Sequence, residues 1–69
     1  MTAPYIERMK YEFRELADRI AKLSAFIVSS PIFKHLPADE RDLMQAQLGH
    51  MRGYHDVLET RIDLAERSQ

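Results

Sequence analysis

Apolar residues recur through the first half of the chain at Ile6, Met9, Phe13, Leu16, Ile20, Leu23 and Ile27, at spacings that alternate three and four. That is an uninterrupted heptad seam, the signature of an amphipathic helix lying lengthwise on another helix. The pattern predicts a helix over about residues 4–28. Pro4 suits its first turn, where a missing N–H costs nothing, and Thr2 or Ala3 falls at the cap. A second seam runs through Met44, Leu48, Met51, His55, Leu58, Ile62 and Ala65 and predicts a helix over about residues 38–66.

Between the two lies a connection over 29–37 with its own signals. Ser29 and Ser30 offer capping hydroxyls, and Pro31 presets a helical φ, so Pro31–His35 reads as one short helical turn. Ile32, Phe33 and Leu36 are expected to tuck under this end of the hairpin. Pro37 opens the second helix, with Asp39, Glu40 and Asp42 at the positive end of its dipole. The connection has no glycine, so the turn has to be made from capped helix ends without a left-handed residue. The expected fold is all-α: a single domain over 1–69, an antiparallel two-helix hairpin with a short helical turn in its connection.

The second helix has more apolar surface than one partner helix can cover. Beside its seam run His50, Val57 and Leu64, and next to them Gln47, Tyr54 and Arg61. Gly49 and Gly53 lie four apart; each costs roughly 1 kcal/mol in a helix interior. They mark either a tolerated weakness or the close approach of another helix or a ligand. A two-helix hairpin has no enclosed interior, so surplus apolar surface predicts a homo-oligomer.

Composition narrows the rest. A 69-residue chain buries little surface and commonly needs a staple, a metal or a partner chain. With no cysteine, disulfides and thiolate zinc sites are excluded. The formal net charge of −1 supplies no field that would draw in DNA or a membrane surface. No apolar run approaches a membrane span and no signal-peptide core is present, so the expected location is the cytoplasm.

Catalysis finds little support: there is no glycine-rich phosphate loop, no nucleophile–histidine–acid spacing and no metalloprotease signature. His50 and His55 are five apart, about 140° around a helix, which is unsuited to a shared metal. His55 instead reads as a seam histidine and His35 as a solvated one. No enzyme activity, metal or cofactor is expected. Charged residues supply pairs at i,i+4, namely Glu15–Arg19, Asp18–Lys22 and Asp63–Arg67. Arg8, Lys10, Arg14, Arg19 and Lys22 are interleaved with Tyr5 and Tyr11, and Tyr54 stands seven residues before Arg61. Cations can meet phosphates and tyrosine rings can stack on bases, although an ordinary amphipathic surface carries the same residue types.

The sequence also resembles a phage-encoded helical-hairpin family. The resemblance lies in Tyr5-Ile6-Glu7-Arg8-Met9, Glu12, Glu15-Leu16, Arg19-Ile20, Lys22-Leu23 and Phe26-Ile27, then Leu43, Gln47, Met51, Tyr54, Val57-Leu58 and Arg61-Ile62. It covers Tyr5 to Leu64. That family includes anti-CBASS and anti-Thoeris proteins, sponges for cyclic nucleotide signals of host immunity. The resemblance implies a homo-oligomer, often a hexamer, in the host cell cytoplasm, with pockets between protomers for a cyclic di- or trinucleotide or a cyclic ADP-ribose-type ligand that is bound but not hydrolysed. Carried over, it makes Tyr5 a base-stacking aromatic and Arg8 and Lys22 phosphate contacts, with Tyr54 and Arg61 lining a second pocket. The alternative, drawn from the surplus apolar face, is a structural or adaptor hairpin that oligomerises and binds another protein.

Overall fold

A computed structural model of the chain describes residues 3–68. It is a rod of 49 × 15 × 14 Å made of α1 (Pro4–Ser29), a short 3-10 turn (Phe33–His35) and α2 (Ala38–Arg67). The two long helices pack against each other as an antiparallel hairpin. A 30-residue helix is about 45 Å long at 1.5 Å per residue, so α2 runs nearly the whole length of the rod.

Each helix begins as its sequence dictates. Ala3 is the N-cap of α1, with φ −62° and ψ 146°, and its carbonyl accepts from Ile6 and Glu7 at 3.0 and 3.2 Å. Thr2, the other candidate cap, lies outside the described residues. Pro37 caps α2 in an extended conformation and accepts from the N–H of Arg41 at 3.0 Å. In the connection the Ser30 N–H closes α1 on the Phe26 carbonyl, while the Ser30 hydroxyl accepts from the Ile32 N–H at 3.1 Å. The helical turn is shorter than Pro31–His35, because Pro31 and Ile32 form the hydrogen-bonded turn that leads into it. No described residue has a positive φ, so the reversal is built from capped helix ends.

All seven residues of each seam are buried or half-buried. Ile6 and Leu58 are fully enclosed, and with Met9 and Ile62 they form the core cluster near the chain termini, which Ala3, Phe13 and Ala65 flank. Phe13 stacks on His55 with ring centroids 4.4 Å apart and fixes the register of the pair. His55 is therefore a packed seam residue, its Nδ1 3.3 Å from the Asp56 carboxylate. Lys10 of α1 reaches Glu66 of α2 at 2.7 Å along one edge of the seam. At the opposite end Phe26 and Phe33 meet edge to face at 6.2 Å, and Leu36 is half-buried beside the same turn. Ile32 departs from expectation: it is 61% exposed, because the Pro31–Ile32 turn aims it away from the helices.

The core is thin. The chain exposes 5171 Å², against about 4,500 Å² for a compact monomer of 8.1 kDa. On α2, Leu43, Val57 and Leu64 are more than half exposed. A Cβ built at Gly49 or Gly53 would meet nothing within 4 Å, so neither glycine makes room for another part of this chain. Both lie on the outer shoulder of α2, away from α1.

Candidate functional site

The register set by Phe13 and His55 brings Tyr54 of α2 level with Arg14 of α1, near the middle of the Arg8–Arg19 stretch. There the groove between the helices widens into a hollow of about 550 Å³, lined by Arg8, Tyr11, Glu12, Glu15, Leu16 and Arg19 of α1 and by Tyr54 of α2. Helical spacing explains the lining. Glu12 and Arg19 are seven apart and form the flank next to the seam; Arg8 and Glu15, also seven apart, form the next line out. Leu16, 6% exposed, is the floor. Tyr11 and Tyr54 are 60% and 45% exposed and offer ring faces on the two sides.

The charges of this hollow balance, with two guanidiniums against two carboxylates. The Glu15–Arg19 pair expected from spacing is not formed. Among the described residues, none of Arg8, Glu12, Glu15 and Arg19 lies within ion-pair distance of an opposite charge. Their donors and acceptors face water and can be redirected to a ligand without first breaking a salt bridge. Arginine presents a planar fork of donors suited to phosphate oxygens. A carboxylate accepts from sugar hydroxyls or from base amino groups.

Of the five residues singled out from sequence, Arg8 and Tyr54 share this hollow, and Tyr5, Lys22 and Arg61 stand outside it. Lys22 continues the Arg8–Glu15 line by one more heptad and is held by Asp18 at 2.9 Å. That hydrogen bond, reinforced by the charges of Asp18 and Glu15, raises its pKa above the usual 10.5. Tyr5 is 49% exposed near the chain termini, and Arg61 is exposed one heptad beyond Tyr54. Spacing along a single helix puts Arg19 in a surface pair with Glu15 and gives Tyr11, Glu12 and Glu15 no place in a pocket. The available signal was the antiparallel register, which asks which α1 residues stand level with Tyr54.

Tyr54 also walls a second, shallower hollow of about 550 Å³ that lies wholly on α2, between Leu43, Ala46, Gln47, His50 and Met51. It is mostly apolar. The Gln47 amide lies 3.9 Å from the Met51 sulfur, across its floor. Among the described residues no three His, Asp or Glu side chains are placed to hold a metal ion, and no helix is long and apolar enough to cross a membrane.

Neither the curated proteins nor the solved structures include a significant match to this chain. A family model does match, over residues 3–64, which takes in the whole of α1, the connection and α2 past Tyr54. This agrees with the likeness to sponge-like phage hairpins read from the spaced helix positions, and the chain belongs to the Sequestin family, whose name denotes sequestration and not catalysis.

Proposed function

We propose that this chain is a phage immune-evasion protein that binds and sequesters a cyclic nucleotide second messenger of the infected host without hydrolysing it. One observation carries the reading: two arginines that meet no carboxylate among the described residues and two tyrosines surround one hollow in a chain of a family named for sequestration. The volume falls within the roughly 300–1,000 Å³ of small-molecule sites. A cyclic dinucleotide or a cyclic ADP-ribose-type ligand carries two phosphate charges and at least one base. Arg8 and Arg19 supply donors for the phosphates, and Tyr11 and Tyr54 cover base faces for about 1–3 kcal/mol per stacked base. Glu12 and Glu15 raise the cost of admitting a bare anion and favour a ligand that also brings hydroxyl or amino donors.

The hollow is open on one side, and a homo-oligomer supplies the missing wall. Tyr5, Lys22 and Arg61 then act from the rim, with Lys22 leaving Asp18 to meet a phosphate. The sponge acts in the host cytoplasm by mass action: each bound ligand is one fewer for the host effector. Calorimetric titration with cyclic di- and trinucleotides and cyclic ADP-ribose isomers tests this. A ligand held tightly enough to be present at 100 times its Kd adds roughly 2.7 kcal/mol to stability and is recovered intact after denaturation. If nothing in that panel binds more tightly than about 100 μM, near 5.5 kcal/mol of binding energy, the sponge reading fails and the adaptor reading replaces it.

A further inference from the structure

The charged lining of the α1 side of the hollow runs Arg8, Glu12, Glu15, Arg19, with the cations at the two ends and the acids between them. Tyr54 stands level with Arg14, so Glu12 lies about 3 Å along the helix from that level, and Arg8 and Arg19 about 9 and 7.5 Å to either side of it. Phosphates therefore belong with the arginines at the ends, and a base with the tyrosines and acids in the middle. Glu12 is the inner acid, one turn before the floor residue Leu16; Glu15 lies one line further out. An acid in this place repels the phosphates of a ligand, and only donors that the ligand itself brings can offset that repulsion.

We infer that Glu12 selects the base, and that the hollow takes a guanine-bearing ligand in preference to one built from adenine, cytosine or uracil. A carboxylate offers two acceptor oxygens and no donor. Guanine is the one base of the four with two donors side by side on a single edge, its N1 imino and 2-amino groups, so one carboxylate receives both as a charge-assisted pair. Adenine and cytosine present an amino group beside a ring nitrogen whose lone pair repels the second oxygen. Uracil presents one imino N–H between two carbonyls. The rest of the lining does not discriminate: tyrosine faces stack on any base, and arginines on phosphates read no sequence. That leaves the acids to set the choice, and Glu12 is the one beside the floor, where the edge of a base covered by Tyr11 and Tyr54 points.

The inference rests on the sponge reading above and names the base that its ligand carries. It also gives the two acids a role in a site whose ligand is an anion. Glu12 is exposed and meets no cation among the described residues, so both of its oxygens are available to the ligand and replacing it disturbs no contact within the hairpin.

Calorimetric titration of the full chain with cyclic di-GMP, cyclic di-IMP and cyclic di-AMP tests it. The three share one ring and one charge, and hypoxanthine keeps the N1 imino group of guanine but lacks its 2-amino group. Affinity should fall in that order, by about tenfold or more from first to last. Glu12→Gln then supplies a test of sign. If Glu12 is only a solvated acid, removing its charge tightens the binding of every anionic ligand. If it receives guanine, Glu12→Gln weakens cyclic di-GMP by about tenfold and does not weaken cyclic di-AMP. Glu15→Gln should leave the ratio between the two ligands in place. Far-UV circular dichroism of each variant registers loss of helix separately. Equal affinity for the three ligands overturns the inference and leaves the sponge reading standing. So does cyclic di-GMP binding that Glu12→Gln strengthens, or a guanine preference that only Glu15→Gln removes. Failure of all three to bind overturns it as well, while the wider ligand panel decides the sponge reading separately.

Discussion

Leu58 and Val57 are neighbours in sequence with opposite surroundings, and the contrast tests the hairpin directly. Leu58 is 0% exposed and packs with Ile6, Met9 and Ile62; Val57 is 61% exposed on the far side of α2. Leu→Ala at an enclosed site costs about 2–5 kcal/mol, the upper values belonging to rigid cavities that cannot collapse. This core is one side chain deep and open along both edges, so neighbours and water can close on the gap, and about 3 kcal/mol is the expected loss for Leu58→Ala. A chain of 69 residues has a total stability of roughly 3–10 kcal/mol. The variant should therefore be marginal or unfolded. With a urea slope near 1 kcal/mol/M for so small a protein, its midpoint should fall by about 2–3 M at a fixed protein concentration. Val57→Ala should change a dilute sample by no more than about 0.5 kcal/mol. A loss below about 1 kcal/mol at Leu58, or equal losses at both positions, would falsify the packing of the two seams.

Further outcomes follow from other contacts. Gly53→Ala should stabilise the isolated hairpin by up to about 1 kcal/mol, since a methyl group there meets nothing; a loss of thermal stability would reveal a helix from another copy lying against it. Lys10 has its pKa raised above 10.5 mainly by donating a hydrogen bond to Glu66, helped by the charges of Glu66 and Glu7 and opposed by desolvation and by the charge of Arg14. A raised folded-state value means the contribution is complete below the unfolded pKa and is lost as pH rises through the folded one. Melting temperatures should therefore decline above about pH 10.5, and Glu66→Gln should flatten that decline. In the hollow, Arg8→Ala or Arg19→Ala should weaken ligand binding by roughly 10–100-fold, the worth of a charged hydrogen bond. Lys22→Ala, which first has to release Asp18, should weaken it less; calorimetry on the three variants checks the order.

The fold was legible because two separate patterns agreed. Both seams held at every position, and the glycine-free connection needed no left-handed residue. His55 could be assigned to the seam because its place in the three-four alternation outweighed its chemistry, and its stack on Phe13 is the result. Ile32 was misplaced because hydropathy states what would gain from burial, while the Pro31 turn decides where the side chain is aimed. The Asp18–Lys22 and Asp63–Arg67 pairs formed at 2.9 and 2.8 Å, yet Glu15–Arg19 with the same spacing did not. Surface pairs contribute so little that spacing alone cannot rank them. The hollow was the least legible part, because it belongs to two helices at once. Single-helix periodicity groups Arg8 with Lys22, whereas the antiparallel register groups Arg8 and Arg19 with Tyr54.

A hairpin without an interior has only two kinds of place for a ligand: the groove beside its seam, or the gap between copies. The groove can be one wall short, since α1 and α2 touch along a single line and diverge from it. Any small molecule seated there keeps a wet face unless something else covers it. Here the residue that closes the groove on the α2 side, Tyr54, also walls the second hollow, on the solvent side of α2. Fixing Tyr54 by contact with a second copy removes rotamer freedom that a ligand would otherwise have to take away on binding. Thermodynamic reciprocity then requires a ligand that orders Tyr54 to tighten association by the same factor. In the proposed sponge, sequestration and self-association are therefore coupled through Tyr54: the freedom that one of them removes is freedom the other need not.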